Sequence, residues 1–569
     1  MGIIAMSVKK KHIIVACILP VLLIVGLSQV IPFIYAIIDD RSMMEILSGQ
    51  YLGYPDAHAI FLQYWYALAL TGLYHISSRV DWYALSFFAA QWFCMSLILY
   101  RILSKIEQRR EKIWKIILTL SVFLVIGLQT LTQITFTTTA AVLGASILYW
   151  YATTERMTIA DLIVLGILEF LTMQIRIEVF FMVLPVGIVF WCIRMWRKKG
   201  EKREKIEWYV PVVVFAVLFI GLLGKEVGYG NEAWKEYNIY NQYRSDIYDY
   251  PDYTFPPYES AEELYAAAGI NSKSRARTLM NYNYTADDKI TPEFFRNYIH
   301  TYKKIYPVGQ NRTEKLMKAA KTYVKGLLDG RFHLIQSIGM LVLGLLFLLS
   351  IWRKHWSQAI ELLGLLGIQF VLWIYLLYKG RVPERVIYSM NLLLVVIAIL
   401  ICREISSSFE QEFVKKIWKK GLTAAVFALV MISVVYGNSI RIQNEESYKR
   451  NESVENLKQY CSEYSENFYF NDVTTMAFTT WNVKLWRNKT YTMNYMSLGD
   501  WMSFSPLWKE KLDQQGITSV REALYQRDNV YLICTFDKGL EYLTSLYENT
   551  TCTEVDRAGL FHIYKLQSL

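Results

Sequence analysis

Long runs of apolar residues without a charge constrain this chain more than any other feature. Leu334 to Ile351 holds no Asp, Glu, Lys or Arg, and a helix of about twenty such residues, rising 1.5 Å each, crosses a bilayer core of roughly 30 Å. Backbone groups in hydrocarbon must satisfy one another, so runs of this kind predict membrane-spanning helices rather than a string of soluble domains. The chain of 569 residues is 54% hydrophobic and 19% charged, yet its mean hydropathy is only +0.21. Spans joined by short loops would score well above that, so much of the chain is expected outside the bilayer.

The N-terminus reads MGIIAMSVKKKH and then runs apolar from Ile13 to about Ile38. That run is about twice the length of a signal-peptide core and lacks a clear small-residue cleavage site, so it reads as a retained first span. Lys9, Lys10 and Lys11 place the N-terminus in the cytoplasm. Further apolar runs begin near Trp82, Trp114, Ile134, Ile159, Ile177, Tyr209, His333, Gln358, Val386 and Gly421, which makes eleven spans with the first. The stretches this topology assigns to the cytoplasm (1–12, 101–115, 153–158, 194–206, 352–356 and 402–420) hold 24 Lys and Arg in 70 residues, against 6 in 61 for the short outer stretches 39–81, 129–133, 174–177 and 378–386. This bias has the sign of the positive-inside rule. Counting the apolar segment 57–76 as a span would invert it, so that segment is expected to be an interfacial or re-entrant helix inside a first outer loop, 39–81.

The expected fold class is therefore an α-helical polytopic membrane protein with a C-terminal extracytoplasmic α/β domain. Residues 1–437 form the transmembrane part, including a large tyrosine-rich outer loop at 226–332, and residues 438–569 form the α/β part. In the latter, helices near 445–465, 474–486, 505–515 and 538–548 alternate with strands at 467–470, 490–494, 529–536 and 560–566. The formal charge of +10 follows the topology, and no nucleic-acid partner is expected from it. Cys17, Cys94, Cys192 and Cys402 lie in or at the ends of apolar runs as small hydrophobes, while Cys461, Cys534 and Cys552 in the tail allow at most one internal disulfide.

Three groups of residues carry potential chemistry. Asp39 and Asp40 stand where the first span leaves the bilayer, where a carboxylate can hold a raised pKa and take a proton from a hydroxyl, and where two together could hold a divalent cation such as Mg or Mn. The competing reading is two solvated acids ending a helix, a position the helix dipole disfavours. Gln174, Arg176 and Glu178 occupy a tight outer turn, with Glu169 two turns earlier; Arg176 and Glu178 either line a wet site or neutralise each other. Lys379, Arg381 and Arg385 form a basic cluster on the side where positive charge is least expected, suited to phosphate oxygens or to lipid headgroups. Asp56 and His58, in GYPDAH, and Asp287-Asp288 are weaker candidates. The topology puts all of them at one outer face.

With these features the chain resembles the GT-C membrane glycosyltransferases, which use sugars linked to polyprenyl phosphate. The resemblance rests on Asp39-Asp40 after the first span, the long first outer loop with its interfacial helix, QIRIEVFFMVLP from Gln174 to Pro185, RVIYSMNLLLV from Arg385 to Val395, and an outward α/β tail. The group's Arg-Tyr pair appears here as Arg385, Val386, Ile387, Tyr388. The resemblance implies that Asp39 is the general base on an acceptor hydroxyl, with Asp40 orienting it or holding a metal. Arg385 and Arg381, with Lys379 beside them, would hold the departing lipid phosphate. Arg176, Glu178, Tyr388, Asp56 and His58 would line the site. The implied partners are a polyprenyl-phosphate sugar donor, a glycan or cell-wall acceptor and the lipid bilayer, at a multi-pass position in the plasma membrane. The group contains both metal-dependent and metal-free members. A polysaccharide polymerase or ligase acting on polyprenyl-pyrophosphate glycans would share the spans and arginines but not the acidic pair. A transporter calls for charge at mid-membrane, and a non-catalytic receptor would tolerate loss of Asp39 and Arg385.

Overall fold

The computed structural model describes residues 2–568 except 107, 198–204, 307–311, 408–411, 478–480, 487–491, 536–539 and 547–549. The first apolar run does not continue as one helix to Ile38. Helix α1 (Gly2–Val30) stops before Pro32, which disfavours helical backbone at the residue preceding it; a short strand β1 (Ile34–Tyr35) follows, and a new helix α2 (Ile38–Leu47) begins. Asp39 and Asp40 therefore sit in the first turn of α2 rather than at the end of a span. The helix dipole that would oppose them at a C-terminus here favours them.

Helix α3 (Tyr64–Ile76) has 13 residues, about 20 Å of length, too short to cross a bilayer. Then come α4 (Trp82–Ser104), α5 (Arg109–Thr130), β2 (Gln133–Ile134), α6 (Phe136–Thr153), α7 (Ile159–Ile175), α8 (Ile177–Arg197) and α9 (Tyr209–Tyr229). The long loop contains α10 (Glu232–Tyr248), α11 (Glu262–Ala267), α12 (Lys273–Met280), α13 (Pro292–Ile305) and α14 (Arg312–Leu328). Three further apolar helices, α15 (His333–Trp352), α16 (Trp356–Lys379) and α17 (Glu384–Ser407), lead to α18 (Glu412–Glu463).

Among the described residues nine helices are long and apolar enough to cross a membrane, so the protein is a polytopic helical protein. Neither α6 nor α7 is among them. Helix α6 carries Thr137, Thr138 and Thr139 and is buried along nearly its whole length against its neighbours, so it has no need of a lipid-compatible surface. Helix α7, at 17 residues, is short. A close approach holds this centre together: a Cβ on Gly144 of α6 would collide with Val183 of α8. At one end of the helices the basic residues find acids, Lys105 with Glu155 at 2.7 Å, Arg194 with Glu207 at 2.9 Å and Arg197 with Glu361.

Helix α18 is a single helix of 52 residues. The boundary expected at 437/438 thus falls inside it, and the helix expected near 445–465 is its continuation. Beyond it lie β3 (Phe468–Asn471), α19 (Val473–Ala477), β4 (Trp481–Asn482), β5 (Tyr495–Ser497), α20 (Pro506–Gln514), α21 (Val520–Gln526), β6 (Val530–Cys534), α22 (Glu541–Thr544), β7 (Thr550–Ala558) and β8 (Phe561–Ser568). Five of the strands form a sheet in the order β5-β3-β6-β8-β7, parallel through its first three and antiparallel thereafter. The reading from sequence misses α21 and β7 and places one strand at 490–494, of which 490 and 491 lie outside the described residues; the strand observed is β5. It also draws 474–486 as one helix, where the chain forms the short α19 and then β4. Of the helix expected at 538–548, residues 538, 539, 547 and 548 lie outside the described residues. Strand β4 leaves this sheet to pair antiparallel with β1, which pairs parallel with β2. The chain's tail is thereby stitched to the loop in front of α2. No disulfide joins Cys461, Cys534 and Cys552 to one another.

Candidate active site

Four connections bring the ends of distant helices together around α2. The β1–β2 pairing sets the start of α6 beside α2, so that Phe136 N donates to Asp40 Oδ1 at 3.1 Å. Tyr83, in the first turn of α4, donates its hydroxyl to the same oxygen at 2.7 Å. Gln63 N donates to Gln174 O at 2.8 Å, which fixes the entry to α3 on the turn between α7 and α8. The fourth comes from the tail: Trp501 Nε1 donates to Asp39 Oδ1 at 3.2 Å.

The two adjacent aspartates have different surroundings. Asp40 is fully buried. Its Oδ1 takes both hydrogen bonds just described, while Oδ2 lies buried without a partner among the described residues. Burial pushes this carboxyl up to about 7, against the opposing effect of its hydrogen bonds. Asp39 keeps partial access to solvent. Burial raises its pKa as well, and Arg385, Arg176 and the bond from Trp501 act the other way. Of the pair, Asp39 is the carboxylate presented to the surroundings and Asp40 the one that anchors α2.

The basic cluster expected from sequence is divided in space. Arg385 turns toward Asp39: among the described residues no carboxylate forms a salt bridge with it, and its strongest opposing charge is Asp39. Arg381 instead pairs with Asp249 at 3.3 Å and lies 5.8 Å from the Tyr250 ring. Lys379 is exposed at the end of α16. Tyr388 donates to Ile126 O at 3.3 Å, committing its hydroxyl to α5.

Arg176 pairs with the exposed Glu178 at 2.8 Å and stacks over Phe136 at 4.9 Å and Phe61 at 5.4 Å. The Phe61 ring in turn meets Trp501 edge-on at 4.8 Å. Arg176 thus both neutralises Glu178 and faces Asp39. Asp56 and His58 form a separate unit. Their side chains bond at 2.8 Å, His58 Nε2 reaches Gly228 O at 2.9 Å and its ring stacks on Trp234 at 4.6 Å, which locks the first loop onto the end of α9. Asp287 is buried in a salt bridge with Arg275 at 2.9 Å, and Asp288 accepts from Ser519. Glu169 lies buried on α7, its Oε2 unpartnered among the described residues.

Trp501, Asp249 and Phe61 escape a reading of the sequence because no spacing ties them to Asp39. Trp501 is held by the long loop: Tyr237 donates to Trp501 O, and Tyr284 donates to Asp500 O at 2.6 Å. The Asp500 carboxylate caps the same turn by accepting from Met502 N at 2.7 Å and Ser503 N at 2.9 Å. The turn passes so close to the loop that a Cβ on Gly499 would collide with the Tyr282 carbonyl. The glycine in Gly499-Asp500-Trp501 is the one visible hint of this packing. Asp249 joins Arg381 to the buried Arg244, 3.4 Å away.

The donor set does not build a cation site. Asp40 has one oxygen engaged, Asp39 faces two guanidinium groups, and no cluster of three or more His, Cys, Asp or Glu side chains occurs among the described residues. A divalent cation needs several oxygen ligands and is repelled by neighbouring positive charge. What the arrangement offers is a half-buried carboxylate able to accept a proton, opposite arginines suited to an anion. No family model, no curated protein and no solved structure matches this chain.

Proposed function

We propose that this protein is a membrane glycosyltransferase of the GT-C kind, moving a sugar from a polyprenyl-phosphate donor to a glycan, lipid-linked or cell-wall acceptor. The observation that carries the reading is the convergence of Asp39, Arg176 and Arg385 from three distant stretches of chain. In this reading eleven helices cross the plasma membrane, α6 and α7 included. The N-terminus is cytoplasmic, the end bearing Asp39 faces outward and the C-terminal sheet belongs to an extracytoplasmic α/β domain. The excess of Lys and Arg in the stretches at the opposite end, Lys105, Arg194 and Arg197 among them, supports the orientation, since positive charge collects on the cytoplasmic side.

The chemistry follows from the groups present. Asp39 takes the proton from the acceptor hydroxyl while that oxygen attacks the anomeric carbon. The bond from the anomeric carbon to the phosphate oxygen breaks through an oxocarbenium-like transition state, and both electrons leave with the lipid phosphate. Arg385, which forms no salt bridge among the described residues, stabilises the charge that develops there. Arg381 is held by Asp249 through one of its nitrogens. Attack opposite the leaving group inverts the sugar. Asp40 positions Asp39 by holding the first turn of α2 and does not itself reach the substrate.

The test uses purified protein in detergent with a panel of radiolabelled polyprenyl-phosphate sugars. Wild type is expected to bind a donor and release free lipid phosphate, Asp39→Asn to bind without turnover, and Arg385→Ala to bind weakly. Failure of every donor to bind, with both variants behaving as wild type in the cell, would overturn the assignment.

A further inference from the structure

Helix α14 presents three distinct faces. Ala319, Tyr323 and Gly326 are buried against the protein, where Tyr323 and Phe332 stack with Trp373 of α16 at 5.8 and 4.4 Å. A second face carries Met317, Val324 and Leu328, which are 50%, 54% and 84% exposed. Successive helical residues turn by about 100°, so Lys318, Lys321 and Lys325 fall together on a third face beside the second. Glu314, Met317, Lys318, Lys321, Thr322 and Lys325 line a shallow groove of about 370 Å³ there. Lys315, on the flank, is already held by Asp252 at 2.7 Å and lies over Tyr378. Among the described residues no carboxylate forms a salt bridge with the other three lysines, although Glu314 lines the same groove.

Leu328 ends the helix only a short turn before α15, whose span begins at Ile335. That span exposes Ile338, Leu341, Leu345 and Leu348. The bare apolar strip of α14 therefore leads directly into a lipid-facing one. A helix with an apolar strip, a flank of lysines and a position at the mouth of a span has the features of one lying in the plane of a membrane interface. We propose that α14 lies in the interface, with Met317, Val324 and Leu328 among acyl chains and Lys318, Lys321 and Lys325 holding the phosphates of anionic phospholipids. Charge complementarity selects the occupant, because three ammonium groups along one side of an apolar strip, without a salt bridge among the described residues, match an anionic headgroup above its chains. This seat is separate from Asp39 and Arg385 and does not depend on the glycosyltransferase reading.

Two measurements on the full chain test it. Retention of phosphatidylglycerol against phosphatidylcholine is followed by native mass spectrometry for wild type and for the variant Lys318→Gln, Lys321→Gln, Lys325→Gln. Three lysines at about fivefold each predict roughly a hundredfold loss of phosphatidylglycerol preference. Equal retention by the two proteins overturns the proposal, and so does displacement of the lipid by millimolar inorganic phosphate, which would make the groove a site for the free ion. A loss confined to polyprenyl phosphate, with phosphatidylglycerol unaffected, overturns it as well and assigns the lysines to the carrier. Independently of the lysines, a nitroxide on Val324→Cys in vesicles, in a background with Cys17, Cys192, Cys402 and Cys552 replaced by Ser, should be relaxed more by oxygen than by a water-soluble nickel chelate. The reverse order at that position places α14 in water and refutes the interfacial seat.

Discussion

Asp40→Asn isolates the effect of burying a carboxylate in the first turn of α2. In the native protein burial moves this group from 3.8 to about 7. Three units correspond to about 4 kcal/mol at 1.36 kcal/mol per unit, an order of magnitude for a fully buried group. The sign follows from proton binding. The folded state holds the proton over a range where the unfolded chain has lost it, so this group's contribution is fully present below pH 4, falls as pH rises to 7 and is constant above. The asparagine oxygen can still accept from Tyr83 and Phe136 and carries no charge at any pH, so the variant lacks this slope. Asp40→Asn is therefore expected to melt at a higher temperature than wild type at pH 8, with only about a third of that advantage in free energy at pH 5. Thermal unfolding in detergent at the two pH values measures the difference. A variant equally or less stable than wild type at pH 8 would show that Asp40 is charged and compensated, and the argument from its unpartnered oxygen would fail.

Other outcomes follow from the same geometry. Gly499→Ala forces the turn away from the Tyr282 carbonyl and should cost about 1–3 kcal/mol, with loss of the Trp501 bond to Asp39 visible as a change in Trp501 fluorescence against a Trp501→Phe control; unchanged stability would remove the close approach from the account. Asp249→Asn leaves Arg244 buried without its carboxylate and should lower stability by about 3 kcal/mol, a loss that Arg244→Met in the same chain partly restores in a double-mutant cycle. Arg385→Lys keeps the charge but not the fork, and is expected to bind a polyprenyl-phosphate sugar about tenfold less tightly than wild type while remaining better than Arg385→Ala. Equal binding by all three proteins would show that Arg385 does not meet the phosphate.

Much of the architecture is legible without coordinates because it depends on composition over a length. Apolar runs near twenty residues define helices with a surface compatible with lipid, as in α15 and α16. The charge bias argues against a span at 57–76 without reference to any contact, and the helix found there, α3, has only 13 residues. The reading weakens where a helix is surrounded by protein. Thr137 to Thr139 lower the apolar signal of α6 because its partners are other helices. At α18 nothing local marks the end of the apolar part, and one helix carries the chain from there into the tail.

The amino-acid sequence alone determined the helices of the bundle, the placement of charge at their ends, and the residue types able to move a proton or hold a phosphate. Tertiary structure alone decided which of those residues meet. It buried Asp40 and left Asp39 partly exposed, drew Arg385 toward Asp39 while giving Arg381 to Asp249, and brought Trp501 from 462 positions away onto the same carboxylate. The physical reason is range. Hydropathy and charge bias act through the medium on each segment by itself, whereas a hydrogen bond or an unpaired guanidinium depends on separations of a few ångströms that only the packing of distant segments creates.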